Sequence, residues 1–247
     1  MELGLEGKVC VVSGSTGGIG RCVVEQLRAE GALTVSSGRS LEGPGDLHVA
    51  GDLTVRGAPE RVVAAALERF GRLDRLVNNV GGTDIRTLGD LDDDDWQASF
   101  ELNLMTAVRA TRAALPALVE SRGAIVNVAS TSGKRPSSSM PAYSVMKAGL
   151  LSFSRLVADV HARDGIRCNA VTPGPTATEA WLGEGGLADQ QGNREDVLAK
   201  VGAGRPLGRL AEPDEIASVV CFLLSDRSSY VTGAAWSADG GTVPVII

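Results

Sequence analysis

The stretch VCVVSGSTGGIG, residues Val9 to Gly20, decides the fold. Its first four residues are apolar, as in a buried strand, and residues from about Gly18 to Glu30 have helical spacing. Glycines between a strand and a helix let the backbone approach a pyrophosphate, whose charge interacts with the unpaired N–H groups of the helix N-terminus. The GxxxGxG spacing differs from a P-loop, because no Lys-Ser/Thr pair follows. The stretch predicts a phosphate-binding turn; a tight turn without a ligand is the alternative.

The rest of the chain continues this alternation of short apolar runs and helical patterns. We predict further strands at residues 33–35, 47–49, 76–77, 125–128, 168–171 and 235–237, and helices at residues 59–70, 94–115, 142–162 and 213–224. Continuously apolar strands indicate a sheet covered on both faces, and short connections give right-handed parallel crossovers. We therefore expect a single α/β domain over residues 1–247, with a doubly wound parallel sheet of about seven strands. A (β/α)8 barrel competes, but only about seven strands are present.

Two stretches are less regular. Gly38 to Asp46 leaves nine residues between the second and third strands, so a crossover helix barely fits there. Residues 176–204 are rich in glycine and have weak periodicity. A long loop of this kind in a compact domain is usually a lid or a disordered segment. We expect a lid at about residues 176–204.

Composition narrows the functional classes. A chain of 247 residues with 43% hydrophobic and 22% charged residues is not globally disordered, and its net charge of −6 argues against a nucleic-acid partner. We find no signal-peptide pattern and no run of about 20 apolar residues that could span a bilayer. The four cysteines lack CxxC spacing and are expected to be buried, reduced thiols. We expect a cytoplasmic protein without a membrane partner.

Acidic and histidine residues do not predict a metal site. Asp92 to Asp95 form an acidic run at the start of a predicted helix, where carboxylates interact favourably with the helix dipole. His48 and His161 lack the spacing of paired ligands. We therefore expect no bound metal.

Tyr143 and Lys147 are four residues apart, on one face of a predicted helix. A nearby ammonium group lowers the pKa of a tyrosine, which could then act as an acid or base near neutrality. Ser130 ends a predicted internal strand 13 residues earlier, and parallel strands end on the side of the sheet where ligands bind. The three residues predict a catalytic site; a surface Tyr–Lys pair is the alternative.

In combination these motifs resemble the short-chain dehydrogenase/reductase family in its compact form. The resemblance covers about Leu5 to Thr242. Within the family, the sequence is similar to 3-oxoacyl-acyl-carrier-protein reductases. It rests on an ordered set of motifs: the glycine turn, Asn78-Asn79-Val80-Gly81, Asn103, Ser130, Tyr143-xxx-Lys147 and Pro173-Gly174. It implies a Rossmann-type sheet, a nicotinamide cofactor and reversible hydride transfer between a carbonyl and an alcohol.

The resemblance also implies a role for each catalytic residue. Tyr143 matches the general acid for carbonyl reduction, and Ser130 matches the residue that hydrogen-bonds the substrate oxygen. Lys147 would bind the nicotinamide ribose and lower the pKa of Tyr143. Asn103 matches an asparagine that positions a water in a proton relay.

Cofactor contacts are implied at further positions. They are Ser13, Gly14, Ser15, Thr16, Gly18, Ile19, Gly20, Arg39, Ser40, Asp52, Leu53, Asn79, Val80, Gly81, Tyr143, Lys147, Pro173, Gly174, Thr176 and Thr178. Three of them depart from the usual family pattern: Ser13 replaces threonine, Val80 replaces alanine, and Thr176 replaces an aliphatic residue.

NADP(H) is expected in preference to NAD(H). Gly38 stands after the second strand, where a carboxylate would bind the ribose 2′-hydroxyl of NAD, and Arg39 follows it. A guanidinium can bind a 2′-phosphate through two hydrogen bonds. Two observations leave the alternative open: Arg39 could be a solvated loop residue, and Gly17 stands where many NADP-dependent members have a second basic residue.

The substrate is not decided by these motifs. An NAD-dependent dehydrogenase of a small cyclic alcohol, sugar or steroid-like molecule is the alternative to a carbonyl reductase, and the basic patch expected for docking an acyl carrier protein is thin. A non-enzymatic dinucleotide-binding regulator is disfavoured, because all four catalytic positions are occupied.

A homotetramer with D2 symmetry is expected from the resemblance. The helices around Asn103 and Tyr143 would pair across one two-fold axis, and residues 213–237 across another. The apolar tail at residues 243–247 would gain from burial against a neighbouring subunit.

Overall fold

The computed structural model describes residues 2–244. Its strands are β1 (Val9–Ser13), β2 (Leu33–Gly38), β3 (Leu47–Ala50), β4 (Arg75–Asn78), β5 (Ala124–Val128), β6 (Arg167–Pro173) and β7 (Ala235–Ala238). They form one open parallel sheet in the order β3-β2-β1-β4-β5-β6-β7. The predicted seven-stranded, doubly wound sheet is confirmed, and an open sheet excludes the barrel. The strand order reverses between β1 and β4, the kind of switch point at which such sheets bind ligands.

Helices cover both faces of the sheet. They are α1 (Gly18–Ala29), α2 (Ala58–Phe70), α3 (Asp93–Phe100), α4 (Thr106–Ser121), α5 (Thr131–Lys134), α6 (Pro141–His161), α7 (Glu179–Leu182), α8 (Arg194–Ala203) and α9 (Pro213–Leu224). Alternate residues of β1 contribute to two cores: Cys10 and Val12 pack with α1 and α9, whereas Val9 and Val11 pack with α2, α4 and α6. Because both faces are buried, every position of the strand is apolar until the final serine.

The prediction of one continuous helix over residues 94–115 is wrong in its middle. Helix α3 ends at Phe100, and a π-helical turn over Glu101–Met105 connects it to α4, which continues to Ser121. A π turn holds one more residue than an α turn, so the sequence periodicity gives little warning of it. The extra residue sets the position of Asn103, which lies within this turn and is 1% exposed.

The segment at residues 176–204 contains more regular structure than its sequence predicts. Helices α7 and α8 and a 3₁₀ turn at Asp189–Gln191 lie within it, and Leu187 and Ala188 are buried. The side chain of Gln190 accepts a hydrogen bond from the backbone N–H of Ile85 at 2.8 Å. The expectation of a long loop is therefore corrected, since two helices and a packed apolar pair hold the segment against the domain. The connection between β2 and β3, where a crossover helix is expected barely to fit, contains no helix at residues 39–46.

Arginines at the amino-terminal edge of the sheet hold the last helix. Arg75 begins β4 and donates to the carbonyl oxygen of Leu224 at 2.7 Å and to Asp226 at 2.9 Å. Arg167 begins β6 and donates to the carbonyl oxygens of Leu223 at 2.8 Å and Ser225 at 2.9 Å. The three carbonyl oxygens are groups that the end of α9 leaves without helical partners, and Asp226 adds a carboxylate beside them. The edge opposite the expected ligand site is thus held by a charged network.

The acidic run caps a helix. Asp92 accepts from the backbone of Asp95 at 2.9 Å and Asp95 accepts from Asp92 at 3.1 Å, which confirms its interpretation as the start of α3. All four cysteines are free thiols, and three are buried. No helix within residues 2–244 has both the length and the apolar character needed to cross a membrane. Of the apolar tail, residues 245–247 lie outside the described residues.

Candidate active site

A cavity of about 1220 Å³ opens at the carboxyl edge of the sheet. It runs from the ends of β1 and β2 past β4 and β5 to the segment after β6. Most of the residues predicted from the sequence line it: Gly14, Thr16, Gly18, Ile19, Arg39, Asp52, Leu53, Asn79, Val80, Gly81, Ser130, Tyr143, Lys147, Pro173, Gly174, Thr176 and Thr178. Residues from distant parts of the chain thus meet in one cleft at the switch point of the sheet.

The turn after β1 leaves the start of α1 open to this cavity. Gly17 is the N-cap of α1 and makes no side-chain hydrogen bond to the first helical N–H groups. Gly14 and Gly18 have φ angles of 63° and 52°, in the left-handed region that favours glycine. Uncapped N–H groups beside a glycine-lined wall suit the pyrophosphate of a dinucleotide. The local structure therefore fits the predicted group.

Five predicted residues do not line the cavity: Ser13, Ser15, Gly20, Ser40 and Asn103. The hydroxyl of Ser13 donates to the carbonyl oxygen of Val77 at 3.2 Å and accepts from the N–H of Asn79 at 3.1 Å. Because this hydroxyl is hydrogen-bonded to two backbone groups, the structure does not support a direct contact between it and a cofactor.

The other members of this group also shape the cleft from outside. The Ser15 hydroxyl donates to the carbonyl oxygen of Val12 at 2.8 Å. A Cβ atom at Gly20 would lie 2.4 Å from the carbonyl oxygen of Gly14, so glycine is required there for close packing of helix and turn. The carbonyl oxygen of Ser40 pairs with His48 at 3.0 Å.

Ser130, Tyr143 and Lys147 come together beside the end of β5. Ser130 is the N-cap of α5, and its oxygen accepts from the N–H of Ser132 at 3.1 Å. Lys147 is 2% exposed, and its Nζ donates to the carbonyl oxygen of Val128 at 2.9 Å. The same Nζ lies 5.6 Å from the centre of the Tyr143 ring. The strand end thus fixes the ammonium group next to the phenol.

Burial dominates the ionisation of this pair. It raises the pKa of Tyr143 above its ordinary value, and the Ser130 side chain opposes the shift in part. Burial also lowers the pKa of Lys147 from 10.5 to about 8. The expected lowering of the tyrosine pKa is therefore corrected for the ligand-free protein, because burial outweighs the hydrogen bond to Ser130. Tyr143 is protonated at neutral pH and can donate a proton.

Asn103 is directed at the loop after β4. Its Oδ1 accepts from the N–H of Gly82 at 3.0 Å, and its Nδ2 donates to the carbonyl oxygen of Gly82 at 3.0 Å. A Cβ atom at Gly81 would lie 2.9 Å from Lys147 Nζ and 3.0 Å from Asn103 Oδ1. Glycine at this position lets the loop pass between the two side chains.

The far end of the cavity carries the residues expected to select the cofactor. A Cβ atom at Gly38 would lie 2.7 Å from Thr16 Cγ2, so a larger residue would require Thr16 to move. Hydrogen bonds from Thr54 hold the pKa of Asp52 below its ordinary value, with a smaller contribution from the charge of Arg39. Arg39 is exposed and makes no ion pair with any residue of the described chain.

Comparison with known proteins agrees with this geometry. A family model described as enoyl-(acyl carrier protein) reductase matches residues 14–243. The chain belongs to the short-chain dehydrogenase/reductase family. It is 35% identical to the 3-oxoacyl-[acyl-carrier-protein] reductase FabG of Thermotoga maritima, over 97% of this chain and 99% of that protein. It is 33% identical to the D-beta-hydroxybutyrate dehydrogenase of Cupriavidus necator, over 97% of this chain and 99% of that protein.

A solved structure of the family superposes over the whole chain. The L-sorbose reductase of Gluconobacter frateurii, complexed with NADPH and L-sorbose, has a TM-score of 0.93 and 33% identity, covering 100% of both chains. The family and its named members identify this chain as an oxidoreductase.

This short-chain dehydrogenase/reductase also has cavity residues that the sequence did not single out individually. They are Ile85, Leu102, Arg135, Met140, Trp181, Gln191, Val201 and Arg205. Most come from the β4–α3 loop, the loop before α6 and the segment at residues 176–205. They share no motif, and only the fold brings them to one wall.

Proposed function

We propose that the protein is an NADP(H)-dependent oxidoreductase that interconverts a carbonyl and a secondary alcohol. The observation that carries the proposal is the meeting of Ser130, Tyr143 and Lys147 at one wall of a cavity that also contains the open N-terminus of α1. A non-enzymatic regulator would not need a buried ammonium group 5.6 Å from a tyrosine ring.

The residues of the site divide the chemistry of carbonyl reduction. A nicotinamide dinucleotide, when bound, supplies the hydride. Tyr143 donates its proton to the carbonyl oxygen, and the Ser130 hydroxyl donates a hydrogen bond to the same oxygen as negative charge develops. Lys147 places a positive charge behind the phenol and favours the phenolate that remains after proton transfer. In the direction of alcohol oxidation, Tyr143 acts as the base.

The cofactor residues support NADP(H). Gly14, Thr16, Gly18 and Ile19 would surround the pyrophosphate, while Asp52 and Leu53 would contact the adenine. Arg39 would bind the 2′-phosphate, because its guanidinium forms no ion pair within residues 2–244 and the end of β2 has no carboxylate. Asn79, Val80, Gly81, Pro173, Gly174, Thr176 and Thr178 would contact the nicotinamide half. The structure of the sorbose reductase with NADPH is consistent with this choice.

A sugar or small alcohol as substrate is the second candidate, with NAD as its possible cofactor. Two solved relatives favour it: the L-sorbose reductase and an aldohexose dehydrogenase of Thermoplasma acidophilum, which has a TM-score of 0.87 and 27% identity. We propose a cytoplasmic homotetramer for either substrate class.

The test is turnover of a panel of ketones, one 3-oxoacyl thioester, one enoyl thioester and L-sorbose with NADPH and with NADH. We expect NADPH-dependent reduction of at least one carbonyl compound. Tyr143→Phe is expected to lower kcat by about 10²–10⁴-fold while NADPH still binds, because the variant lacks only the proton donor. Lys147→Ala is expected to weaken both turnover and cofactor binding. Activity of Tyr143→Phe equal to that of the wild type would refute the mechanism.

A further inference from the structure

The cavity contains arginines without ion-pair partners, although the protein as a whole has a net charge of −6. Three arginines line it, Arg39, Arg135 and Arg205, and none of them forms an ion pair within residues 2–244. Arg39 lies at the end of β2, on the adenosine side of the cavity. Arg135 and Arg205 lie in the part of the cavity formed by the β4–α3 loop, the loop before α6 and the segment at residues 176–205, which we call the substrate wall. The substrate wall therefore has positive charge that the described protein does not neutralise.

Two of the three acidic residues of the cavity already have partners. Glu101 forms an ion pair with Arg109 at 2.7 Å. Asp52 accepts from the N–H and hydroxyl of Thr54 at 2.9 and 2.8 Å. The third acidic residue, Glu179, is exposed, so water screens its charge. None of the three is paired with an arginine of the substrate wall.

Arg205 differs from the other two arginines in burial. Its Nε is shielded from solvent and has no hydrogen-bond partner among residues 2–244. Arg205 as a whole is half-buried and lines the cavity. A shielded donor without a partner makes the charge costly, and an anion bound to the accessible part of the guanidinium would offset that cost. By contrast, Arg135 is exposed and directly follows α5.

The surroundings of Arg205 place this donor on the substrate side. Arg205 follows α8, and its neighbour Leu207 donates to the carbonyl oxygen of Gly240 at 3.2 Å, just after β7. Pro175, next to the Pro173-Gly174 segment, lines both the main cavity and a smaller one of about 340 Å³, as does Arg205. The apolar residues Trp181, Leu187 and Val201 also line the main cavity. An aliphatic chain with one anionic end matches this lining.

We propose that Arg205 binds a carboxylate of the substrate, so that the substrate is an oxo acid reduced to a hydroxy acid. The two Nη groups of a guanidinium present N–H groups that match the two oxygens of a carboxylate. The inference rests on the proposed reductase function and adds the chemical class of its substrate. In the reduction, the carbonyl carbon gains the hydride and its oxygen gains the Tyr143 proton, while the carboxylate is unchanged.

The test compares each acid with its neutral ester. We would measure kcat/KM at saturating NADPH for acetoacetate, 4-oxopentanoate and 5-oxohexanoate and for their methyl esters. The wild type is expected to favour at least one acid over its ester by about 10- to 100-fold, the range of a charge-assisted hydrogen bond. Arg205→Met is expected to remove this preference through a higher KM for the acid, with the ester changed less than threefold.

Two matched variants locate the effect. Arg209→Met removes an arginine four residues away that pairs with Glu215 at 2.7 Å and does not line the main cavity. It is expected to keep the preference for the acid. Arg135→Met is expected to reduce the preference less than threefold, because water and salt screen an exposed charge. If Arg205→Met does not fold, Arg205→Lys takes its place and is expected to lose at least threefold of the preference.

Several results would overturn the inference. The first is a wild type that reduces the esters as well as the acids. The second is an Arg205→Met variant whose kcat/KM falls equally for acid and ester, or whose Kd for NADPH rises by the same factor as its KM for the acid. The third is a preference for the acid that only Arg135→Met removes. Calorimetric titration of the NADP⁺ complex with the same acids separates this inference from the proposed function. If no ketone is reduced, the reductase function fails, yet binding of an acid that requires Arg205 still supports the carboxylate site. Absence of binding in the wild type overturns it.

Discussion

Asn103 and Gly82 are joined by two hydrogen bonds that run in opposite directions, each of 3.0 Å. The side chain that makes them comes from the π turn between α3 and α4, and the backbone that receives them follows β4. This pairing ties the helix to the loop that passes between Asn103 and Lys147. The amide thus holds this loop of the cavity in place, across Gly81 from Lys147.

Asn103→Ala is expected to lower kcat by about tenfold or more, because small misplacements of catalytic groups reduce rates strongly. The substitution leaves the N–H and carbonyl of Gly82 without their partner. Steady-state kinetics would measure the effect. Ser99→Ala is the control, since it removes only the 3.3 Å bond from the same amide and should change kcat less than threefold. Unchanged kcat in Asn103→Ala would show that the pairing is dispensable.

The cofactor preference depends on Arg39 and on the space at Gly38. Arg39→Leu is expected to reduce the ratio of kcat/KM for NADPH over NADH by about 10- to 100-fold, through loss of a charge-assisted hydrogen bond. Arg39→Lys, which keeps the charge, should retain part of the preference. A wild type that favours NADH would contradict the proposal.

A carboxylate at position 38 is expected to need a second change. Gly38→Asp alone would force Thr16 to move and should weaken binding of both cofactors. Gly38→Asp with Thr16→Ala and Arg39→Leu opens the space and should favour NADH. Fluorescence titration with NADPH and NADH would measure both affinities, and a single Gly38→Asp variant with unimpaired NADH binding would disprove the steric argument.

Lys147→Met is expected to raise thermal stability while abolishing activity. Burial lowers the pKa of Lys147 to about 8, so between about pH 8 and its ordinary value of 10.5 the unfolded chain holds a proton that the folded chain does not. Burial of the Lys147 charge therefore lowers the free energy of unfolding by its full amount below pH 8, and this effect disappears above pH 10.5. Allowing for the lost bond to Val128, we expect a gain of about 2 kcal/mol at pH 7.

Circular dichroism at pH 7 and pH 10.5 would measure this gain as a Tm difference. A rise of several degrees at pH 7 should shrink towards zero at the higher pH. Lys200→Met on the exposed side of α8 is the control and should show no such dependence. A Lys147→Met variant less stable than the wild type at pH 7 would be inconsistent with the argument.

The outer face of α6 is expected to be a subunit interface. Val145, Leu156 and Val160 lie on one side of that helix and are 53%, 58% and 59% exposed. Light scattering should give four times the chain mass of 25.5 kDa. Leu156→Arg should give smaller assemblies, whereas Leu41→Arg on the β2–β3 loop should not. A wild-type monomer at micromolar concentration would contradict the tetramer.

The sequence predicted the sheet and the main wall of the site because their signals are local. The apolar run of β1, the glycines after it and the spacing of Tyr143 and Lys147 each fit within a few residues. The π turn gave no such signal, because the apolar periodicity continues through it. The ionisation of Tyr143 depends on burial by distant elements. The donor of Arg205 is identified only when the fold shows that nothing in the described chain satisfies it.

The charged network under the sheet has a consequence for how the protein can change. Arg75 and Arg167 hold the end of α9 at the edge away from the cavity, so these two stabilising arginines are separate from the residues that would meet a substrate. Selection for heat resistance could therefore act on one end of the molecule while the other end drifts towards new substrates. Neither adaptation would have to undo the other.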